Sequence, residues 1–148
     1  PVENLPGVPE VLQQLNGHYR LVVATKGDLL DQERKLRQSG LADHFHHIEI
    51  VSDKTPAHYA QLVRHLDLAP EEFLMVGNSL RSDILPVLDI GAYAFHVPFH
   101  TTWAHEMAEA PEGHPRFRDF EHVEEIAVLL DRHRLDTRAS RAKRKIAP

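Results

Sequence analysis

The sequence contains no cysteine, which excludes a disulfide framework and any zinc site built on thiolates. That absence fits a reducing cytoplasm, and a cytoplasmic location is the expectation. No apolar run is long enough to span a bilayer and no signal segment opens the chain, so no membrane partner is expected. The chain begins at Pro1 rather than Met, as a fragment or processed product would. No internal repeat has a period that would build a solenoid. Positive charge is scarce over most of the length. Residues 132–148 hold seven of the seventeen Lys and Arg but one of the twenty-two Asp and Glu, a net of +6, which leaves −11 for residues 1–131. An acidic body repels phosphate backbones and argues against nucleic acid as a partner.

What is present suits one globular domain. At 148 residues, 42% hydrophobic and 26% charged, the chain is long and apolar enough to build a sizeable core. The charge division places a core domain at 1–131 and a basic tail at 132–148, with Arg141 to Lys145 its densest part. The tail could contact anionic partners, and a solvated terminus is the simpler reading.

Apolar strands alternate with amphipathic helices. Val8, Val11, Leu12 and Leu15 recur at helical spacing, and Gly17 ends that helix. Leu21 to Ala24 is a short apolar run of the kind buried on both faces of a parallel sheet. Leu29 to Gln38 predicts a helix ending at Gly40, and Ile48 to Val51 a second strand. Pro56 suits a helix start, with Tyr59, Leu62, Val63 and Leu66 as the apolar stripe. Phe73 to Val76 is a third strand, followed by a helix over Arg81 to Asp89 made irregular by Pro86. Ala92 to Val97 is a fourth strand, and helices are expected over 101–109 and over Glu121 to Leu130. Repeated strand–helix units imply an α/β fold, a parallel sheet covered on both faces. In such sheets the chemistry lies at the carboxyl ends of the strands.

Three places answer to that rule. Thr25 ends an apolar strand and precedes Lys26 and Gly27; its hydroxyl can donate to an anionic oxygen, and the glycine lets backbone approach a ligand. A plain helix N-cap at Thr25 or Asp28 is the simpler role. Lys54 follows the second strand, near a helix start whose partial positive charge disfavours a lysine unless an anion is close. A snorkelling surface lysine is the alternative. In Val76-Gly77-Asn78-Ser79-Leu80-Arg81-Ser82-Asp83 a strand runs into a polar turn, and a carboxylate follows near a helix start. Asn78 and Asp83 would be oxygen donors of the type magnesium prefers. Separately they are a turn residue and a first-turn acid.

Taken in order, strand-Thr, then Lys after the next strand, then strand-Gly-Asn-Ser-x-x-x-Asp resembles the second, third and fourth motifs of the haloacid dehalogenase-like (HAD) hydrolase superfamily. Leu5-Pro6-Gly7-Val8-Pro9-Glu10-Val11-Leu12 is similar to the segment after its cap, so the resemblance covers about residues 5–98. It implies a Rossmann-like three-layer αβα core. Thr25 matches the hydroxyl residue that holds the transferring phosphoryl group, with Lys26 and Gly27 beside it. Lys54 matches the lysine that neutralises nucleophile and phosphoryl oxygens. Asn78 matches the first acidic residue of the fourth motif, a magnesium ligand, and Asp83 the second, which supports the metal and its waters. The first motif, a strand followed by Asp-x-Asp, has no match, so the core lacks its first strand, its nucleophile and its general acid–base. In the superfamily that strand lies between those ending here at Thr25 and Gly77.

The implied activity is a magnesium-dependent phosphatase of small phosphate esters, working through an aspartyl-phosphate in the complete protein. The residues 1–148 alone are expected to be inactive. A metal-independent dehalogenase is the enzymatic rival, since Asn78 removes a usual metal charge, although Gly77 stands where dehalogenases tend to have Ser. A non-catalytic binding module and a phosphoacceptor receiver domain are alternatives of other classes. The twelve histidines include His44-x-His46-His47 and the set His96, His100 and His105. Neither carries a zinc-site spacing, so solvated or packed histidines are the expectation. His100, Thr101, Thr102 and Trp103 follow the last expected strand and are weaker candidates for substrate contact.

Overall fold

The computed structural model describes residues 7–98 and 108–133. Most of the helix expected over 101–109, with His100, His105 and Trp103, and most of the basic tail lie outside these residues. Helix α1, Val8–Leu15, starts behind Gly7 with proline in its first turn and buries Val11 and Leu15. Strand β1 is Val22–Thr25. Helix α2, Leu29–Ser39, is capped by the Asp28 carboxylate, which accepts from the Asp31 N–H at 3.0 Å. On its solvent side Asp31 meets Arg34 and Lys35, which hold the carboxyl below its ordinary range. Strand β2 is His47–Ile50, and helix α3, Pro56–His65, is capped by Thr55. Strand β3, Leu74–Gly77, leads into a π-helical turn, Leu80–Ile84, and helix α4, Leu85–Asp89. Strand β4 is Tyr93–His96, β5 is Phe117–Asp119, and helix α5 occupies 124–133. Four strands fall within about one residue of their expected places; β5 was not expected.

All strand pairs are parallel. β1 pairs with β2, from Val22 opposite His47 to Thr25 opposite Ile50. β3, β4 and β5 form a second ladder in which Gly77, His96 and Asp119 stand side by side at the carboxyl end. Among the described residues no ladder joins β1 to β3. Leu21 to Ala24 was expected to be buried on both faces. Instead every residue of β1 is only half-buried, and among the described residues the strand has a neighbour on one edge alone. Val76 in β3 is 42% exposed.

The core lies on both faces of these strands. Tyr59, Leu62 and Leu66 of α3 and its C-terminus pack with Met75, Ile84, Val87, Leu88, Ala94 and Phe117, and Ala24 of β1 lies against this cluster. On the opposite face Phe95, Val97 and Ile126 meet Leu74, Phe120 and Val123, with the two phenylalanine rings edge to face. Val11 and Leu15 of α1 close that layer against Ala127. The result is a three-layer α/β arrangement with parallel strands in the middle. Burial of each large aliphatic side chain contributes roughly 1.5–3 kcal/mol, so the α3–β3–α4 interface is the anchor of the turn after β3. No helix among the described residues is long and apolar enough to cross a membrane.

Candidate active site

The carboxyl ends of β1, β2 and β3 bring the expected residues to one edge. Thr25 is the last residue of β1; its carbonyl accepts from the Val51 N–H at 2.8 Å and its hydroxyl donates to the Lys26 carbonyl at 3.3 Å. The N-cap of α2 is Asp28, so Thr25 is not the cap. Gly27 turns the chain with φ 104°, a left-handed value that other residues adopt at a cost. Lys26 is exposed, with its ammonium 3.5 Å from Asp53 Oδ1. The same carboxylate oxygen accepts from the Lys54 N–H at 3.0 Å, so Asp53 tethers the two loops.

Lys54 finds the anion that its place before α3 requires. Its Nζ lies 2.5 Å from Asp83 Oδ1, with the lysine side chain 20% exposed and the aspartate 5%. The other carboxylate oxygen accepts from the Ser79 N–H at 3.1 Å. Ser79 is itself buried, and its hydroxyl accepts from the Ser82 N–H at 3.0 Å. Gly77 makes this packing possible. A Cβ there would lie 2.5 Å from both Cβ and Oδ2 of Asp83, closer than atoms can approach. The π-helical turn widens the backbone by one residue where Asp83 faces Lys54, with Leu85 N–H donating to the Leu80 carbonyl. Such turns are frequent at functional sites.

Asn78 is exposed at the tip of the turn. Its carbonyl accepts from His96 Nε2 at 3.1 Å, and Asp119 Oδ1 lies 3.0 Å from the other ring nitrogen. Sequence reasoning missed this trio. His96 carries no motif, and Asp119 belongs to a strand of three residues with no period to read. His46 of the other histidine group accepts from the Leu21 N–H at 2.8 Å.

The donors here, an amide and a carboxylate, are hard oxygens that fit magnesium, which keeps several waters and needs few protein ligands. Each Asp83 oxygen accepts one hydrogen bond and keeps a further lone pair through which it can order an ion's water shell. Among the described residues no three His, Asp or Glu converge as a metal site. The edge thus combines a hydroxyl, two ammonium groups and oxygen donors, a set able to hold an anion beside a cation.

The family model for haloacid dehalogenase-like hydrolases matches residues 1–91. Among solved structures, a haloacid dehalogenase-like family hydrolase from Xanthomonas campestris is 39% identical with a TM-score of 0.77, over 95% of this chain and 58% of that one. A HAD phosphatase from Thermococcus onnurineus is 22% identical with a TM-score of 0.67, over 86% of this chain and 58% of that one. The HAD-hydrolase YfnB from Bacillus subtilis, solved bound to magnesium, is 20% identical with a TM-score of 0.70, over 85% of this chain and 55% of that one. The last two likenesses show the fold alone. The chain therefore spans between 55% and 58% of the length of these relatives. No curated protein matches the sequence.

Proposed function

Because the chain belongs to the haloacid dehalogenase-like hydrolases, we propose that it forms part of the core of a magnesium-dependent phosphatase acting on small phosphate esters. The observation that carries this reading is the Lys54 ammonium held 2.5 Å from Asp83, at the strand edge that also presents Thr25 and Asn78. In this reading Thr25 donates its hydroxyl to a phosphoryl oxygen, and the Gly27 turn with Lys26 surrounds the same group. Lys54 offsets charge on the equatorial oxygens as phosphorus is attacked. Asn78 would hold magnesium, and Asp83 would order its waters while fixing Lys54. Bound magnesium supplies charge stabilisation at the phosphoryl oxygens.

The nucleophile would be an aspartate on a strand without a match in residues 1–148, entering between β1 and β3. Its carboxylate attacks phosphorus, the bond to the ester oxygen breaks, and the alcohol leaves with a proton from the general acid of the same unmatched motif. Water then attacks the aspartyl-phosphate and releases inorganic phosphate.

The test is a magnesium titration of phosphomonoester hydrolysis by the full-length protein, with chelator controls. Chelation is expected to abolish turnover. Asn78→Asp restores a full negative charge to the ligand and is expected to lower the half-saturating magnesium concentration about tenfold, roughly 1.4 kcal/mol. Coincident titration curves would remove Asn78 from the metal site. A metal-independent dehalogenase is the second reading, favoured by the neutral Asn78 and by an Asp83 whose oxygens both accept hydrogen bonds within the protein. Activity surviving full chelation would select it.

A further inference from the structure

The carboxyl end of the second sheet carries a side-chain relay that lies beyond the segment matched to the family. Gly77, His96 and Asp119 are aligned across β3, β4 and β5. The backbone ladder between β3 and β4 ends where the Val97 N–H donates to the Gly77 carbonyl. The next carbonyl, that of Asn78, is met by the His96 ring instead, at 3.1 Å from Nε2. The ring is 13% exposed, and Asp119 Oδ1 stands 3.0 Å from Nδ1. A carbonyl oxygen only accepts, so Nε2 must carry the proton directed at Asn78. A flipped ring would turn Cε1 toward the Asn78 carbonyl and Cδ2 toward Asp119, so turning the ring breaks the Asn78 bond. The peptide that follows Asn78 is therefore held at its carbonyl by this ring and at its N–H by Asp83 Oδ2, while the sheet holds the Gly77 carbonyl before it. That peptide's orientation sets where the Asn78 side chain projects.

We infer that His96, oriented by Asp119, is a positioning residue that presets the Asn78 turn for cation binding. The inference rests on the magnesium reading of Asn78 above. Groups that orient a ligand from behind typically alter metal affinity by roughly ten- to hundredfold when removed. His96 acts through Asn78 and is not itself a ligand.

The experiment is calorimetric titration of the full-length protein with magnesium chloride alone, without substrate, at one pH and ionic strength. His96→Phe keeps ring volume but cannot donate, and is expected to weaken magnesium binding by roughly ten- to hundredfold. His96→Gln places an amide N–H where Nε2 stood and is expected to restore most of that loss. Asp119→Ala, at a side chain 56% exposed, is expected to weaken binding several-fold, with the melting temperature of the metal-free protein unchanged. Equal affinity in parent and folded His96→Phe overturns the inference, as does failure of His96→Gln to bind better than His96→Phe. Should His96→Phe not fold, Asp119→Ala decides, and unchanged affinity there overturns it. A parent protein that binds no magnesium overturns the metal reading itself, a result visible before any variant is made.

Discussion

Lys54 sits just ahead of α3, at the end of the helix where partial positive charge disfavours a cation. The buried Asp83 carboxylate answers that cost and, in turn, is made tolerable by the lysine. Read from the sequence, a lysine serving the transition state alone would be replaceable without much change in melting. The pairing alters that expectation. In the full-length protein Lys54→Ala is expected to lower turnover a hundredfold or more, about 3 kcal/mol. It is also expected to cost about 2–3 kcal/mol in stability by leaving a buried carboxylate without its counter-charge. Denaturant unfolding of Lys54→Ala, and of the double variant with Asp83→Asn, checks the second part, since the neutral amide should recover some of the loss. Near-normal turnover would remove Lys54 from the chemistry. Gly77 is constrained as tightly: the Cβ of Gly77→Ala would meet the Asp83 Cβ, which cannot swing aside like a side-chain tip. We expect Gly77→Ala to cost about 1–3 kcal/mol, measured by the same unfolding curves.

At the scale of elements, the turn after β3 is an irregular piece held by a regular one. Pro86 in α4 has no N–H to give to the Ser82 carbonyl four residues earlier. Tyr59 of α3, fully buried, donates its hydroxyl to that carbonyl at 2.9 Å. A side chain from a neighbouring helix thus replaces the hydrogen bond that proline removes, on the residue next to Asp83. Tyr59→Phe keeps the ring in the core and removes only the donor. It is expected to cost about 1–2 kcal/mol and to leave the strands intact, as judged by thermal melting and far-ultraviolet circular dichroism. A melting temperature equal to the parent's would show that the carbonyl is satisfied without the phenol.

For the whole molecule the decisive feature is that no ladder joins β1 to β3 among the described residues. β1 is half-buried throughout and Val76 of β3 is 42% exposed, so both strands offer apolar side chains and edges that no described strand covers. Open edges of this kind template association with other chains. Residues 1–148 expressed alone are therefore expected to aggregate or to melt broadly, with fast amide exchange in β1 and β3. A monomer with a sharp two-state melt and well-protected amides in both strands would contradict this.

The sequence by itself determined the strand–helix alternation, the places of the first four strands to about one residue, and the residues gathered at their carboxyl ends. These are local properties: apolar runs, helical spacing and the glycine and proline positions that end elements. Helix α2 shows the sharpness possible there, with Asp28 and Gly40 as its two boundaries. Tertiary structure alone decided three things. It placed the Asp83 carboxylate as an anion facing Lys54. It recruited Phe117–Asp119 as a strand, because a neighbour's backbone supplies the pairing that three residues cannot specify. And it brought Asp119, His96 and the Asn78 carbonyl into one chain of contacts. Each depends on groups from 18 to 29 residues apart meeting across parallel strands, and parallel register is set by packing between distant elements rather than by any pattern within one.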